Sequence, residues 1–366
     1  TEWIQSLAFS PVNNALVSCG KDGVIQLWSL DASTPRRTLL GHKHRIWSGA
    51  WAPDGNRLAS AGDNGDVRIW DITRRPVRRY PNVPHPFQAM AVSLDGTLLL
   101  SGTSDGAVQV WNRAEREIVT TVDAHADGLS QLKFSPDGSH VASSARGDGV
   151  KIWSCWPLRE VKHLPASHVA SLAWSPTNQL AFTTDETTVG VIDVATGTTL
   201  HEIRHTSRVR DVAFTDGGTR LATSTAEGLH VWDLRTGQSL FQSPGGHTGI
   251  AVSRDGSRIA AVHSASVTLV ECANGFRRKT LVTSGVDAEC VAFSPDGNTL
   301  AVAEDSPSAI SLWDTRTGRQ LMQLECTATF ICEIRFTPDG RSLLAAGKVG
   351  QSEGGIWEWT IDADLD

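Results

Sequence analysis

The sequence predicts an all-β repeat protein of about nine four-stranded units, and three observations lead there. A motif that reads FSPDG at Phe134 and Phe293 recurs in altered form from Phe9, Trp51, Val92, Trp174, Phe214, Val252 and Phe336, with successive copies 38 to 43 residues apart. A second anchor follows each copy by about 19 residues: Trp28, Trp70, Trp111, Trp153, Ile192, Trp232, Val270, Trp313 and Trp359. Between the anchors run short apolar alternations of strand period, and helical periodicity is convincing nowhere.

The stretch from Ser48 to Ile72, SGAWAPDGNRLASAGDNGDVRIWDI, shows how one unit is built. A first apolar segment ends at Pro-Asp-Gly, which sets a tight turn, and a second ends at Asp-Asn-Gly, which tolerates positive φ. The third segment carries the tryptophan, and a T-G or R-R-x loop then leads to a fourth. The other units repeat this plan in order along the chain. The fifth and seventh, reading VID and LVE at the second anchor, have lost the tryptophan but keep the spacing.

The totals agree with such a chain. Its 366 residues are 40% hydrophobic and 20% charged, with 33 Gly and 15 Pro, a composition that excludes disorder and suits many turns. Length alone suggests two or three domains, but stacked repeats share one continuous core, so residues 1–366 are expected to form a single domain. No apolar run is long enough to span a bilayer and no signal peptide opens the sequence, so a cytoplasmic protein is expected. The six cysteines form no C-x-x-C pair and read as free thiols. A net charge of -7 argues against a field built to attract polyanions.

The dipeptides Gly41-His42, Ala124-His125 and Gly246-His247 precede first strands, and Trp70-Asp71 and Trp153-Ser154 close third strands. With these pairs and the nine-fold period the sequence resembles the WD-repeat family, in its bacterial form, over essentially its whole length. That resemblance implies a single β-propeller of about nine blades. Little chain stands before the first unit or after the last, so the ninth blade is expected to be three-stranded, or completed by residues of a longer signalling protein.

His125, Ser143 and Asp148 are the side chains of a hydrolase triad. The resemblance implies instead that they join Trp153 in a hydrogen-bonded chain inside one blade, since the same set recurs as His42, Ser60, Asn64 and Trp70. The third unit offers Ser101, Asp105 and Trp111 with a displaced His85, and the sixth offers His205, Thr223, Glu227 and Trp232. Asn64 and Glu227 suit a strut better than a catalytic site, and no oxyanion-hole element or phosphate loop accompanies the set.

What the resemblance implies for function is a non-catalytic scaffold or sensing module that binds a protein or peptide, without cofactor or metal. Carried over position by position, it places the binding surface on the top rim, at Trp3, Arg45, Trp47, Phe87, His168, Arg208, Arg210, Asp287, Glu289 and Phe330. Such an arc suits an acidic peptide with an apolar anchor. Two alternatives remain: nucleic-acid binding through an arginine-rich rim at Arg36, Arg37, Arg74, Arg75, Arg78 and Arg79, and a propeller hydrolase or lactonase with an axial metal.

Overall fold

The computed structural model describes residues 3–361 apart from 13–14, 30–34, 40–41, 43–44, 56, 64, 72–77, 82, 84, 264–265, 273–275, 283–287, 306–307 and 351–352. The chain divides into two compact units, Thr1–Pro76 and Val77–Asp366. Each repeat of the sequence becomes one antiparallel sheet, here called a blade and numbered as its repeat.

In the first unit, blade 1 has four strands in chain order, Ile4–Phe9, Ala15–Gly20, Ile25–Ser29 and Pro35–Leu39. Blade 2 has three among the described residues, Ile46–Trp51, Arg57–Gly62 and Val67–Asp71. Val17, Ile25, Leu27, Ile46 and Leu58 form the core between them.

The second unit holds blades 3 to 9, all four-stranded. Their innermost strands pack in succession, and the first strand of blade 9, Phe330–Phe336, lies against the first strand of blade 3, Phe87–Val92. Seven blades therefore close on themselves within this unit. The closing strand is Arg78–Arg79, which pairs antiparallel with Glu353–Thr360, Arg79 opposite Trp357 and Arg78 opposite Glu358. The pairing runs on through Tyr80, whose N–H donates to the Ile356 carbonyl at 3.0 Å, and Val83, which exchanges two bonds with Gly354.

Among the described residues the number of sheets is the nine that the repeats predict, but two expectations about closure are corrected. The ring has seven blades, and residues 1–366 make two compact units where one domain was expected. Blade 9, expected to be three-stranded or completed from outside, takes its fourth strand from residues 78–79, and the three-stranded sheet is blade 2. The physical reason is edge management. A ring whose last blade borrows a strand from the chain ahead of its first blade ties its ends together by hydrogen bonds and leaves no open edge there. Sequence spacing assigns Arg78 and Arg79 to the second repeat, because the pattern does not reveal which sheet a short polar segment joins.

Candidate interaction rim and buried histidine chains

The triad-like side chains of blade 4 do meet. His125 Nδ1 lies 2.8 Å from Asp148 Oδ2 and Nε2 lies 2.8 Å from Ser143 Oγ, while Trp153 Nε1 donates to the same hydroxyl at 2.8 Å. A carboxylate only accepts, so Nδ1 carries the proton and Nε2 accepts from Ser143, which in turn accepts from the indole. Burial holds the His125 imidazole below its ordinary value against the opposing pull of Asp148. The proton arrangement is that of a triad, but access is not. Ser143 is fully buried in the middle strand and the His125 side chain is sealed. No substrate carbonyl can approach the hydroxyl without the blade opening.

Blade 2 repeats the chain, with His42 Nε2 at 2.7 Å from Ser60 Oγ and Trp70 Nε1 donating to Ser60 at 2.7 Å; Asn64 lies outside the described residues. In blade 3 Trp111 donates to Ser101 at 2.8 Å, while the displaced His85 pairs with Asp105 near the surface at 3.4 Å. Blade 6 keeps only the bond from Trp232 to Thr223, at 3.1 Å. Its His205 instead packs edge-on against His230 and Trp232, its Nε2 has no hydrogen-bond partner among the described residues, and Glu227 accepts from Thr206. Burial, with His230 nearby, pushes the His205 pKa down to about 4.

A recurring irregularity positions the rim. In most first strands the register skips one residue: Ile46 faces Gly62 and Ser48 faces Ala61, while Val209 faces Thr225 and Asp211 faces Ser224. The skipped residues, Trp47 and Arg210, are thereby turned out of the ladder and are exposed. Trp47 donates to Asp63 at 2.8 Å and lies beneath the Arg45 guanidinium at 4.8 Å. Trp3 and Arg208 are exposed, and Phe330 is half-buried beneath Lys348, 5.9 Å from the ring centre.

Two rim assignments are corrected. Phe87 is fully buried against Trp111, because it occupies the paired position before the skip and Gln88 is the residue turned outward. His168 is buried with Arg208 Nη2 on its Nε2 at 2.8 Å, so the arginine of the next blade covers it. Asp287 lies outside the described residues, as does the Glu289 side chain. Trp3, Arg45 and Trp47 belong to the first unit and Arg208, Arg210 and Phe330 to the second.

Sequence reasoning missed two carboxylates on innermost strands. Asp211 accepts from Ser171 at 2.5 Å in the preceding blade and from the Ile250 N–H at 2.7 Å in the next. Glu333 accepts from the Met90 N–H and from Lys133 Nζ at 3.3 Å, and also takes Arg335. Burial raises both above the usual carboxylate range. The available signal was a charged residue just before the apolar anchor of a first strand, in RDVAF and CEIRF. The tryptophan-to-serine bond also forms in blade 1, from Trp28 to Ser18 at 2.8 Å.

Of the arginine-rich rim, Arg74 and Arg75 lie outside the described residues, as do the side chains of Arg36, Arg37 and Arg78, and Arg79 lies over the Trp357 ring at 5.6 Å. Among the described residues no group of three or more His, Cys, Asp or Glu is placed to hold a metal, and no helix is long and apolar enough to cross a membrane.

Four-stranded blades tied by tryptophan, hydroxyl and histidine define a WD-repeat propeller. The chain belongs to the WD40 family: the family model described as WD domain, G-beta repeat, matches residues 1–29, 33–71, 81–112, 116–154, 197–233 and 277–314. It is similar to Transcription factor unc-37 of Caenorhabditis elegans, 30% identical over 42% of this chain and 26% of that protein. Protein groucho of Drosophila melanogaster is 28% identical over 42% of this chain and 22% of its own length. Cell division cycle 20.1, cofactor of APC complex, of Arabidopsis thaliana is 26% identical over 74% of this chain and 52% of its own length. The chain thus spans about half or less of each of these three relatives.

Proposed function

We propose that the protein is a non-catalytic platform that binds a protein or peptide segment through the rim residues released by the first-strand bulges, within a cytoplasmic signalling assembly. The observation that carries this reading is Arg208 and Arg210, which stand exposed on either side of the buried Val209. Two guanidiniums on one strand entry recognise carboxylates by forked hydrogen bonds, and the half-buried Phe330 ring is a candidate apolar anchor elsewhere on the same unit. On the first unit the stacked Arg45 and Trp47 make a second contact point of the same chemistry. An acidic segment with an apolar residue is the partner class that fits.

The name of the Arabidopsis relative describes a cofactor of a complex, which supports a role in assembly for this chain. The test is affinity capture from the native source with the wild-type protein, the Arg208→Glu/Arg210→Glu variant and the Trp47→Ala variant. Loss of partner in the double variant is expected, and Arg210→Glu alone, which leaves the bond from Arg208 to His168 in place, is expected to weaken capture with the melting temperature unchanged. Capture at wild-type level by all three places binding elsewhere.

A further inference from the structure

Each joint between consecutive blades follows one rule. The third strand of a blade presents apolar side chains to the first strand of the next, as Val108 and Val110 of blade 3 do to Leu129 and Leu132 of blade 4. Within the first unit this joint forms once, with Ile25 and Leu27 of blade 1 against Ile46 of blade 2. Two half-joints are left over.

On the first strand of blade 1, Ile4, Leu7 and Phe9 are 57%, 58% and 68% exposed, where the equivalent Leu129 and Leu132 are at 0%. On the third strand of blade 2, Val67 and Ile69 are 71% and 61% exposed, where the equivalent Val150 and Ile152 are at 0%. The unit therefore has an open face for a preceding blade and an open face for a following one. Side chains of this kind, exposed together, mark a surface meant to be covered.

A third observation says what covers it. Blade 2 lacks a fourth strand among the described residues, and the second unit shows how a three-stranded final blade is completed, by a strand lying ahead of the first blade of its own ring. We propose that Thr1–Pro76 is the closing pair of blades of a second propeller, whose remaining blades are WD-type units of the same polypeptide encoded ahead of Thr1. Their last blade packs on Ile4, Leu7 and Phe9, their first on Val67 and Ile69, and a strand ahead of that first blade completes blade 2. A second copy of the chain would offer matching faces but, among the described residues, no spare strand, since Arg78–Arg79 already closes blade 9. With a ring of the same seven blades, five are outstanding.

The experiment compares residues 1–366 with the same chain carrying its encoded upstream region, each bearing Leu7→Cys or Val67→Cys, by the rate of maleimide labelling over the wild-type background. Both positions are already exposed, so neither substitution threatens the fold. Labelling at both sites is expected to slow at least tenfold in the longer protein, whose upstream region carries repeats of the same spacing. Equal rates in the two proteins, or an upstream sequence without such repeats, overturn the proposal. Slow labelling in residues 1–366 alone, with elution as a multimer of the 39.4 kDa chain, overturns it in favour of a second copy.

Discussion

The serine of blade 4 illustrates how little a constellation of residue types says until burial is known. Ser143, His125 and Asp148 stand at triad distances, yet the hydroxyl receives an indole N–H and sees no solvent. Their work is to satisfy one another, because each would be costly to bury alone. Ser143→Ala leaves the Trp153 N–H and His125 Nε2 without partners, and a loss of about 1–3 kcal/mol per broken buried bond is expected. Chemical denaturation checks it. His205 gives a different test, because its chain is broken and its ring is held neutral. A folded pKa of about 4 lies below the ordinary imidazole value of 6.5, so the unfolded state binds the proton first as pH falls. Its stabilising contribution is complete above the unfolded value and is lost as pH drops from there through the folded one. His205→Phe is expected to shrink the fall in melting temperature between pH 7 and pH 4. An unchanged pH profile contradicts this account.

At the scale of the strand, the first-strand bulge separates what binds from what packs. One skipped residue turns Trp47 and Arg210 outward and keeps Ile46 and Val209 in the core. The same strands carry Asp211, which fastens blade 6 to both neighbours. Asp211→Ala strands the Ile250 N–H and the Ser171 hydroxyl, and a loss of about 2 kcal/mol is expected. Asp211→Asn, which keeps an acceptor, is expected to lose less; equal losses on denaturation remove the bridging role. The strands themselves were legible, because turn chemistry and alternating apolar residues agree on each one. Placing the rim was harder. Phe87 was misplaced by one position, since a bulge is invisible in a single sequence and a slip of one residue exchanges the buried and exposed faces. Asp211 and Glu333 were overlooked because buried carboxylates are rare, and only the hydrogen bonds from neighbouring blades explain them.

The whole molecule turns on a question that repeat counting does not answer, namely where a ring closes. Nine similar units are compatible with one ring or with two, and the choice lies in four residues ahead of blade 3. Arg78 and Arg79 pair with Glu358 and Trp357, and Tyr80 and Val83 are buried against the same blade, where the Tyr80 hydroxyl donates to Glu358 at 3.3 Å. Glu358 also holds Arg113 of blade 3, so blades 9 and 3 share one buried polar knot at the closure. Residues 77–366 contain every strand of their seven sheets, and that piece is expected to fold alone and melt cooperatively. Starting the chain at residue 85 removes the closing strand. It removes the two buried side chains Tyr80 and Val83, worth about 1.5–3 kcal/mol each, so a loss of about 3–6 kcal/mol is expected, together with an open edge that invites pairing between molecules. For a domain of this size that corresponds to a fall of roughly 10 °C in melting temperature. Calorimetry of the two pieces decides it: equal melting temperatures mean that the ring is held by the packing of blade 9 on blade 3 and not by the strand that links them.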